Sequence, residues 1–402
     1  MDAGRRLVLA VVCGVAVAGI YAAQPVLRPM GAELGVSAGL TGWIVATGQL
    51  GYLVGLVLLV PLGDVVDRRR LIAAHLALTA VAMAVTAWAW AGWVAFTGLA
   101  AAGLLAVVVQ TTVAYAASVS APAERGRTIG VVTSGVVVGI LGARVVAGAL
   151  AEVWGWRGVY AVLAVLSASL AAVVLAVLPA DRRAARRVQL TGLLGRHFLT
   201  RGMIAFFLFA AFGTLWSGLS LPLADAPWHL GESLIGLFGI AGLAGALGAA
   251  RAGRWADAGH AHRVTGLSLV LLIASWAAIA QLPWSLWLLA AGIVALDFAV
   301  QAVHVSNQHV LTAGTAGTST VIGGYMVFYS LGSALGATTT TAVFATRGWT
   351  GSSVLGAGFA CCALAVWTID LVARRKVGVK DSRPVATTSA CHGHRAASTE
   401  AL

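Results

Sequence analysis

The sequence predicts an all-α integral membrane protein of twelve transmembrane helices, arranged as two pseudo-symmetric six-helix halves. Three observations predict it: a composition that no soluble core could bury, a succession of apolar runs of bilayer length, and a second half that repeats marks of the first. Of the 402 residues, 59% are hydrophobic and 10% charged, where a soluble domain carries roughly a quarter of its residues as charges. A bilayer-spanning helix needs about 20 consecutive apolar residues, which leaves room for about twelve spans with short connectors.

The apolar runs fall at about residues 7–27, 40–62, 71–90, 93–118, 128–151 and 156–178, then 202–224, 234–252, 264–282, 284–306, 318–345 and 350–373. In hydrocarbon an unpaired backbone group costs several kcal/mol, and no ten-residue alternation of a barrel is present, so these runs are helices. The first follows MDAGRR and so imitates a secretory signal. It continues through Tyr21 to Leu27 without a small-residue cleavage site, and is read as a retained span.

Orientation follows from the loops. With both termini in the cytoplasm, only Arg28, Arg157 and Arg347 of the 26 Lys and Arg face outward and only Arg144 sits inside a span; the opposite orientation inverts that ratio. An arginine-rich connector, 179–201, separates an N-terminal half, 1–178, from a C-terminal half, 202–373. Residues 374–402 are polar and Ser/Thr-rich and are expected to be a disordered cytoplasmic tail. The halves echo each other. Pro29 recurs as Pro222, Asp64 as Asp257, Gly139 as Gly332 and Trp156 as Trp349, all at one offset, with Gln110 and Gln301 two residues short of it. Parallel six-span halves are the duplication expected of an alternating-access carrier with its site between them.

Several classes are excluded. The net charge of +12 has the sign that nucleic acid attracts, but the basic residues sit in breaks between apolar runs rather than on one solvated face. Cys13, Cys361 and Cys362 lie in apolar runs and Cys391 in the tail, which is no disulfide framework. The tail's Cys391 to His394 has no further ligands nearby, so no metal is expected. No phosphate-binding loop, dinucleotide fingerprint or nucleophile elbow is present, so neither an enzyme nor an ATP-driven pump is expected.

The most specific motif is VPLGDVVDRRRLI, Val60 to Ile72, at the cytoplasmic end of span 2, with a second copy, AGRWADAGHAHR, at 252–263. Asp64 could accept hydrogen bonds from a helix N-terminus and pair with Arg68, Arg69 or Arg70, latching helix ends together, with Asp257 its counterpart. The bland alternative is that the arginines are only topogenic. This pair of loops resembles the loop signature of the major facilitator superfamily, and span count and central connector agree over nearly the whole chain. The first copy departs from the family pattern in having Asp67 where glycine is common and Val65 where a basic residue is common. Span 5 carries GVVVGILGARVVAG, Gly135 to Gly148, similar in glycine spacing to the family's antiporter motif, but Ala143 and Arg144 stand where the usual Gly-Pro pair would be. The resemblance implies a substrate path near midplane, with spans 1, 4, 7 and 10 as cavity helices.

Arg144 is the costliest residue, since arginine within a span costs at least about 2.5 kcal/mol. It could bind an anionic group or set the protonation of a carboxylate, or it could snorkel outward. Span 10 holds LDFAVQAVHVSNQ, in which Asp297, Gln301, His304 and Gln308 fall within about 60° of arc. This stripe should face the bundle interior, where Asp297 could carry a proton; the alternative is a seam that only locks packing. Other cavity candidates are Tyr21 and Gln24 on span 1, Gln110 on span 4 and Trp216 on span 7, then Gln49, Tyr325 and Tyr329. Span 8 has glycine at every third position from Gly236 through Gly248, and this is read as close helix packing.

The expected function is secondary active transport of a small organic solute, coupled to a proton gradient and needing no cofactor. Export is what resemblance to drug-efflux branches implies. Uptake by proton symport and a non-transporting receptor or scaffold are the alternatives. The expected setting is a bacterial cytoplasmic membrane, where the chain works as a monomer among lipid, with no nucleic-acid partner.

Overall fold

A computed structural model describes residues 1–121, 124–181, 195–248, 255, 260–312 and 318–381. Among the described residues every regular element is helical. Nine helices among the described residues are long and apolar enough to cross a membrane. Two of them, Arg125–Val177 and Thr318–Asp381, are each interrupted by one glycine in the left-handed region, Gly155 at φ 66° and Gly348 at φ 61°. Each therefore holds two crossings, spans 5 and 6 and spans 11 and 12. With the shorter helix Glu232–Gly248 as span 8, the crossings match the apolar runs.

The remaining spans are Ala3–Tyr21, Gly42–Leu58 and Arg68–Ala87 in the first half. Span 4 is broken into Gly92–Leu105 and Val108–Val119, a break that composition alone does not announce. In the second half, Arg196–Gly218 with Ser220–Ala224 forms span 7, Ala261–Ile279 span 9 and Leu286–Thr312 span 10. The last helix runs on to Asp381, past residue 373 where its apolar run ends.

The internal repeat is visible in how the chain turns. Each of these two glycines precedes a buried tryptophan, Trp156 and Trp349, whose indole N–H donates to Glu33 Oε2 at 2.5 Å and to the Ile279 carbonyl at 3.0 Å. Only glycine takes that backbone conformation without a Cβ penalty, which is why each long helix breaks there. Gly139 and Gly332 also have equivalent tasks. A Cβ on Gly139 would overlap the backbone of Gly14 in span 1, and one on Gly332 the backbone of Phe206 in span 7. The glycine spacing of span 5 thus serves its packing on span 1.

The outside suits lipid. Leucines and valines are exposed along the bundle, and Trp88, Trp90 and Trp93 in one hairpin and Trp284 and Trp287 in its counterpart are exposed together, as in an interfacial aromatic belt. One end of the bundle is basic and carries the N-terminus. There the Met1 amine and Arg6 both reach Glu124, at 3.3 and 2.6 Å, and hold its carboxyl below the usual carboxylate range. Because that value is lowered on folding, the stability it gives is present above the ordinary carboxylate range and is lost as pH falls through the depressed value. Glu124→Gln should therefore melt slightly lower than wild type at neutral pH, and thermal unfolding in detergent should show the difference vanish on acidification.

The halves meet mainly at the opposite end. Arg28 pairs with Asp225 at 2.5 Å, Ser233 N–H donates to Glu152 Oε1 at 3.1 Å, and Gly42 N–H donates to Thr341 Oγ1 at 3.1 Å. At the basic end the described hydrogen bonds, including Arg6 to Glu124, Arg68 to Asp181 and Arg201 to Asn307, each stay within one half.

Candidate functional site between the halves

Midway along the bundle, four spans bring their polar residues together. Arg144 on span 5 is 2% exposed. Its Nε donates to Gln24 Oε1 at 2.7 Å and its Nη1 to the Ile140 carbonyl at 3.2 Å. Three rings surround the guanidinium: Trp216 at 3.7 Å, Tyr21 at 5.5 Å and Phe212 at 5.6 Å from carbon to ring centroid. Trp216 and Phe212 are one turn apart on span 7, so both rings face the same way. A desolvated cation over an indole face gains about 2 kcal/mol, which helps to hold a charge that has no carboxylate in contact.

Asp297 on span 10 is fully buried, and among the described residues neither carboxylate oxygen has a partner at hydrogen-bond geometry. No ion pair joins it to Arg144; Trp216 stands at their junction. A Cβ on Gly242 of span 8 would lie 2.7 Å from Trp216 Cζ2 and 3.1 Å from Asp297 Oδ2, while one on Gly239 would lie 3.2 Å from Arg144 Cβ. The glycine row of span 8 is what lets these three side chains occupy one layer.

The rest of the span 10 stripe faces span 11. His304 Nδ1 meets the Tyr325 hydroxyl at 3.1 Å, its Nε2 meets Gln308 Nε2 at 3.2 Å, and its ring stands edge-on to Phe209 at 5.3 Å. Gln301 is half-buried one turn beyond Asp297. The Tyr329 hydroxyl bonds the Tyr21 hydroxyl, the one described hydrogen bond between the halves at mid-depth. Gln110 turns to the Tyr52 hydroxyl at 2.6 Å, within its own half. Gln49 is buried beside Tyr21, its amide without a partner at hydrogen-bond geometry among the described residues.

The described residues at the end of span 2 form a network of their own. Arg68 Nη1 donates to Asp181 Oδ2 at 3.1 Å, and Ser118 donates to the same oxygen at 3.0 Å. Asp67 caps span 3 by accepting from Arg69 N–H at 2.9 Å, and the Arg69 guanidinium bonds the Leu175 carbonyl. Spans 3, 4 and 6 are thus tied together inside one half, and the aspartate that departs from the family pattern supplies the helix cap. Arg70 is exposed. The Asp64 side chain, Asp257, and Cys391 to His394 lie outside the described residues.

Two groups escaped the sequence reading. Arg201, counted there as a connector charge, is wholly buried, with Nη1 donating to the buried Asn307 Oδ1 at 2.9 Å and Nη2 at 3.4 Å from His262 Nδ1. Phe209 and Phe212 complete the aromatic wall, and phenylalanine in an apolar run gives no signal by itself. Asn307, the only asparagine in the chain, was a usable signal.

A duplicated bundle with its polar residues buried between the halves defines a membrane transporter, not an enzyme. The chain belongs to the Major Facilitator Superfamily, whose family model matches residues 9–337. It is 38% identical over 371 residues to YgaY of Escherichia coli O157:H7, described as an uncharacterized transporter, covering 90% of this chain and 94% of that one. It is 31% identical over 375 residues to SCO4007 of Streptomyces coelicolor, described as a probable transporter, covering 90% and 84%. Its fold matches a bacterial homologue of the human lysosomal transporter Spinster in an inward-facing and occupied conformation, with a TM-score of 0.74 at 15% identity over 95% of this chain and 98% of that one.

Proposed function

We propose that this chain is a proton-coupled secondary carrier of a small organic solute, with both termini in the cytoplasm of a bacterium. The observation that carries the reading is Asp297, a carboxylate with no hydrogen-bond partner among the described residues, fully buried where the two halves meet. An ionisable group kept at such cost in a span marks an ion or proton path by default. The orientation is supported by Arg68, Arg69 and Arg70 at the same end as Met1. With that orientation, the contacts of Arg28, Glu152 and Gly42 across the halves close the outer end, and the molecule faces inward.

Export by exchange for protons is the direction that the drug-efflux resemblance supports. One observation favours a second reading, uptake by cotransport: a buried arginine shares the layer with the proton-carrying carboxylate. The test is reconstitution in proteoliposomes under a pH gradient of each sign, with protein-free vesicles beside them. A solute exchanged for protons gathers in the acidic compartment, and one that travels with protons gathers in the alkaline compartment. If nothing moves under either gradient, the carrier reading fails and a receptor or scaffold takes its place.

A further inference from the structure

We infer that the transported solute is an organic anion, a carboxylate on an apolar body, received by the guanidinium of Arg144. The inference rests on the proton-coupled reading above and adds the charge of the solute to it.

The first ground is what Arg144 lacks. Of its three nitrogens, Nε and Nη1 donate to Gln24 and the Ile140 carbonyl, while Nη2 has no partner among the described residues. Neither of the two acceptors carries charge. The rings of Trp216, Tyr21 and Phe212 orient the guanidinium and lower its desolvation cost, but they leave its full positive charge in place. A planar guanidinium with a free edge is the group best shaped to take a carboxylate.

The second ground is what Asp297 does not do. It makes no ion pair with Arg144, and it is tightly enclosed: the Gly242 and Gly245 positions would each bring a Cβ to 3.1 Å from it, at Oδ2 and at its own Cβ. Even one methyl group there would crowd the carboxylate, so an organic cation has no room against it from the span 8 side. A proton does. The two charged groups therefore divide the work, with the proton on Asp297 and the solute on Arg144.

The third ground is the surroundings. Arg144 is contacted by side chains of both halves, Gln24 and Tyr21 from the first and Phe212 and Trp216 from the second. A ligand held there touches both halves at once, as a carrier that alternates between two states requires. Phe209, Phe212 and Tyr329 offer aromatic faces to an apolar body.

The consequence is a linkage. An ionised Asp297 and the solute anion are both counter-charges to Arg144, so they oppose each other's presence. A proton on Asp297 removes the competitor, and anion and proton are bound together. An anion handled this way travels with its proton, which selects cotransport over exchange.

The test is binding to the purified full chain in detergent, read as thermal stabilisation, with a panel of alkyl and aryl carboxylates, each beside its methyl ester and the corresponding amine. Carboxylates are expected to stabilise the protein, more so at acidic than at alkaline pH, while esters and amines do not. Arg144→Gln should weaken carboxylate binding about tenfold or more, the loss expected for a charged hydrogen bond. Arg144→Lys should retain part of it, and each variant's ligand-free melting establishes that it is folded. Asp297→Asn should tighten carboxylate binding and flatten its pH dependence. Stabilisation by amines or esters equal to that by carboxylates, carboxylate binding that survives Arg144→Gln, or no binding by any carboxylate would each overturn the inference. Proton-driven movement of an amine in vesicles would overturn it while leaving proton coupling intact. Carboxylate binding without any proton-linked movement would leave the anion site standing and remove the coupling.

Discussion

Asp297→Asn is expected to abolish uphill accumulation of solute under a pH gradient while leaving downhill exchange across the membrane. An ionised carboxylate stripped of water costs several kcal/mol even after the surroundings relax. Among the described residues Asp297 has no partner at hydrogen-bond or ion-pair geometry, so little offsets that cost in this conformation. Release of the proton requires water or a nearer cation, which requires the halves to move. Protonation and conformation are therefore tied through this one side chain. Asparagine keeps the shape and removes the charge change, so both conformations become available with solute but the proton has no place on the carrier. In proteoliposomes the accumulation ratio should fall to one at equilibrium, while preloaded vesicles still exchange labelled for unlabelled solute. Asp297→Glu should restore part of the accumulation. Undiminished uphill transport by Asp297→Asn would show that the proton travels elsewhere.

The order of spans was legible because a bilayer imposes length and composition on every crossing, and the two long helices break at Gly155 and Gly348, where apolar runs abut. The pairing of Trp156 with Trp349 in sequence has a structural counterpart in the two equivalent turns. The site was legible only in part. A helical wheel gives the face on which Asp297 lies but not the depth or the neighbour, so it could not tell that Trp216 stands between Asp297 and Arg144. It placed Gln110 with the cavity residues but gave no sign that its amide donates to Tyr52 of the same half. Arg201 was invisible for a physical reason: a charge at the start of an apolar run is usually topogenic, and only tertiary packing over it, here with Asn307, makes it buried. The expected partnership of Asp64 with the Arg68 cluster lies outside the described residues, while the Arg68 contact with Asp181, far along the chain at the end of span 6, has no signature in sequence spacing.

Gly139→Leu and Gly332→Leu should each prevent accumulation of folded protein, and should do so to a similar degree because the two positions are equivalent. At Gly139 a Cβ would overlap the Gly14 backbone, and at Gly332 the Phe206 carbonyl. Both obstacles are main chain within a helix, so no rotamer change relieves them and the paired helices must separate. In a membrane, where lipid tails are as apolar as leucine, helices associate by close packing and not by hydrophobic exclusion, and losing that fit leaves little to hold them. Overpacking of a rigid core costs about 1–3 kcal/mol, and a large side chain against backbone falls at or above the upper end. Alanine should be milder, lowering the melting temperature in detergent without loss of the fold. Gly358→Ala is the matched control: nothing lies within 4 Å of a Cβ at that position, and helix propensity favours alanine by about 1 kcal/mol. Normal folding of both leucine variants would mean that spans 5 and 11 do not pack on spans 1 and 7 through these glycines. A large defect in one half with none in the other would show that the repeat has kept its residues while only one copy still depends on them.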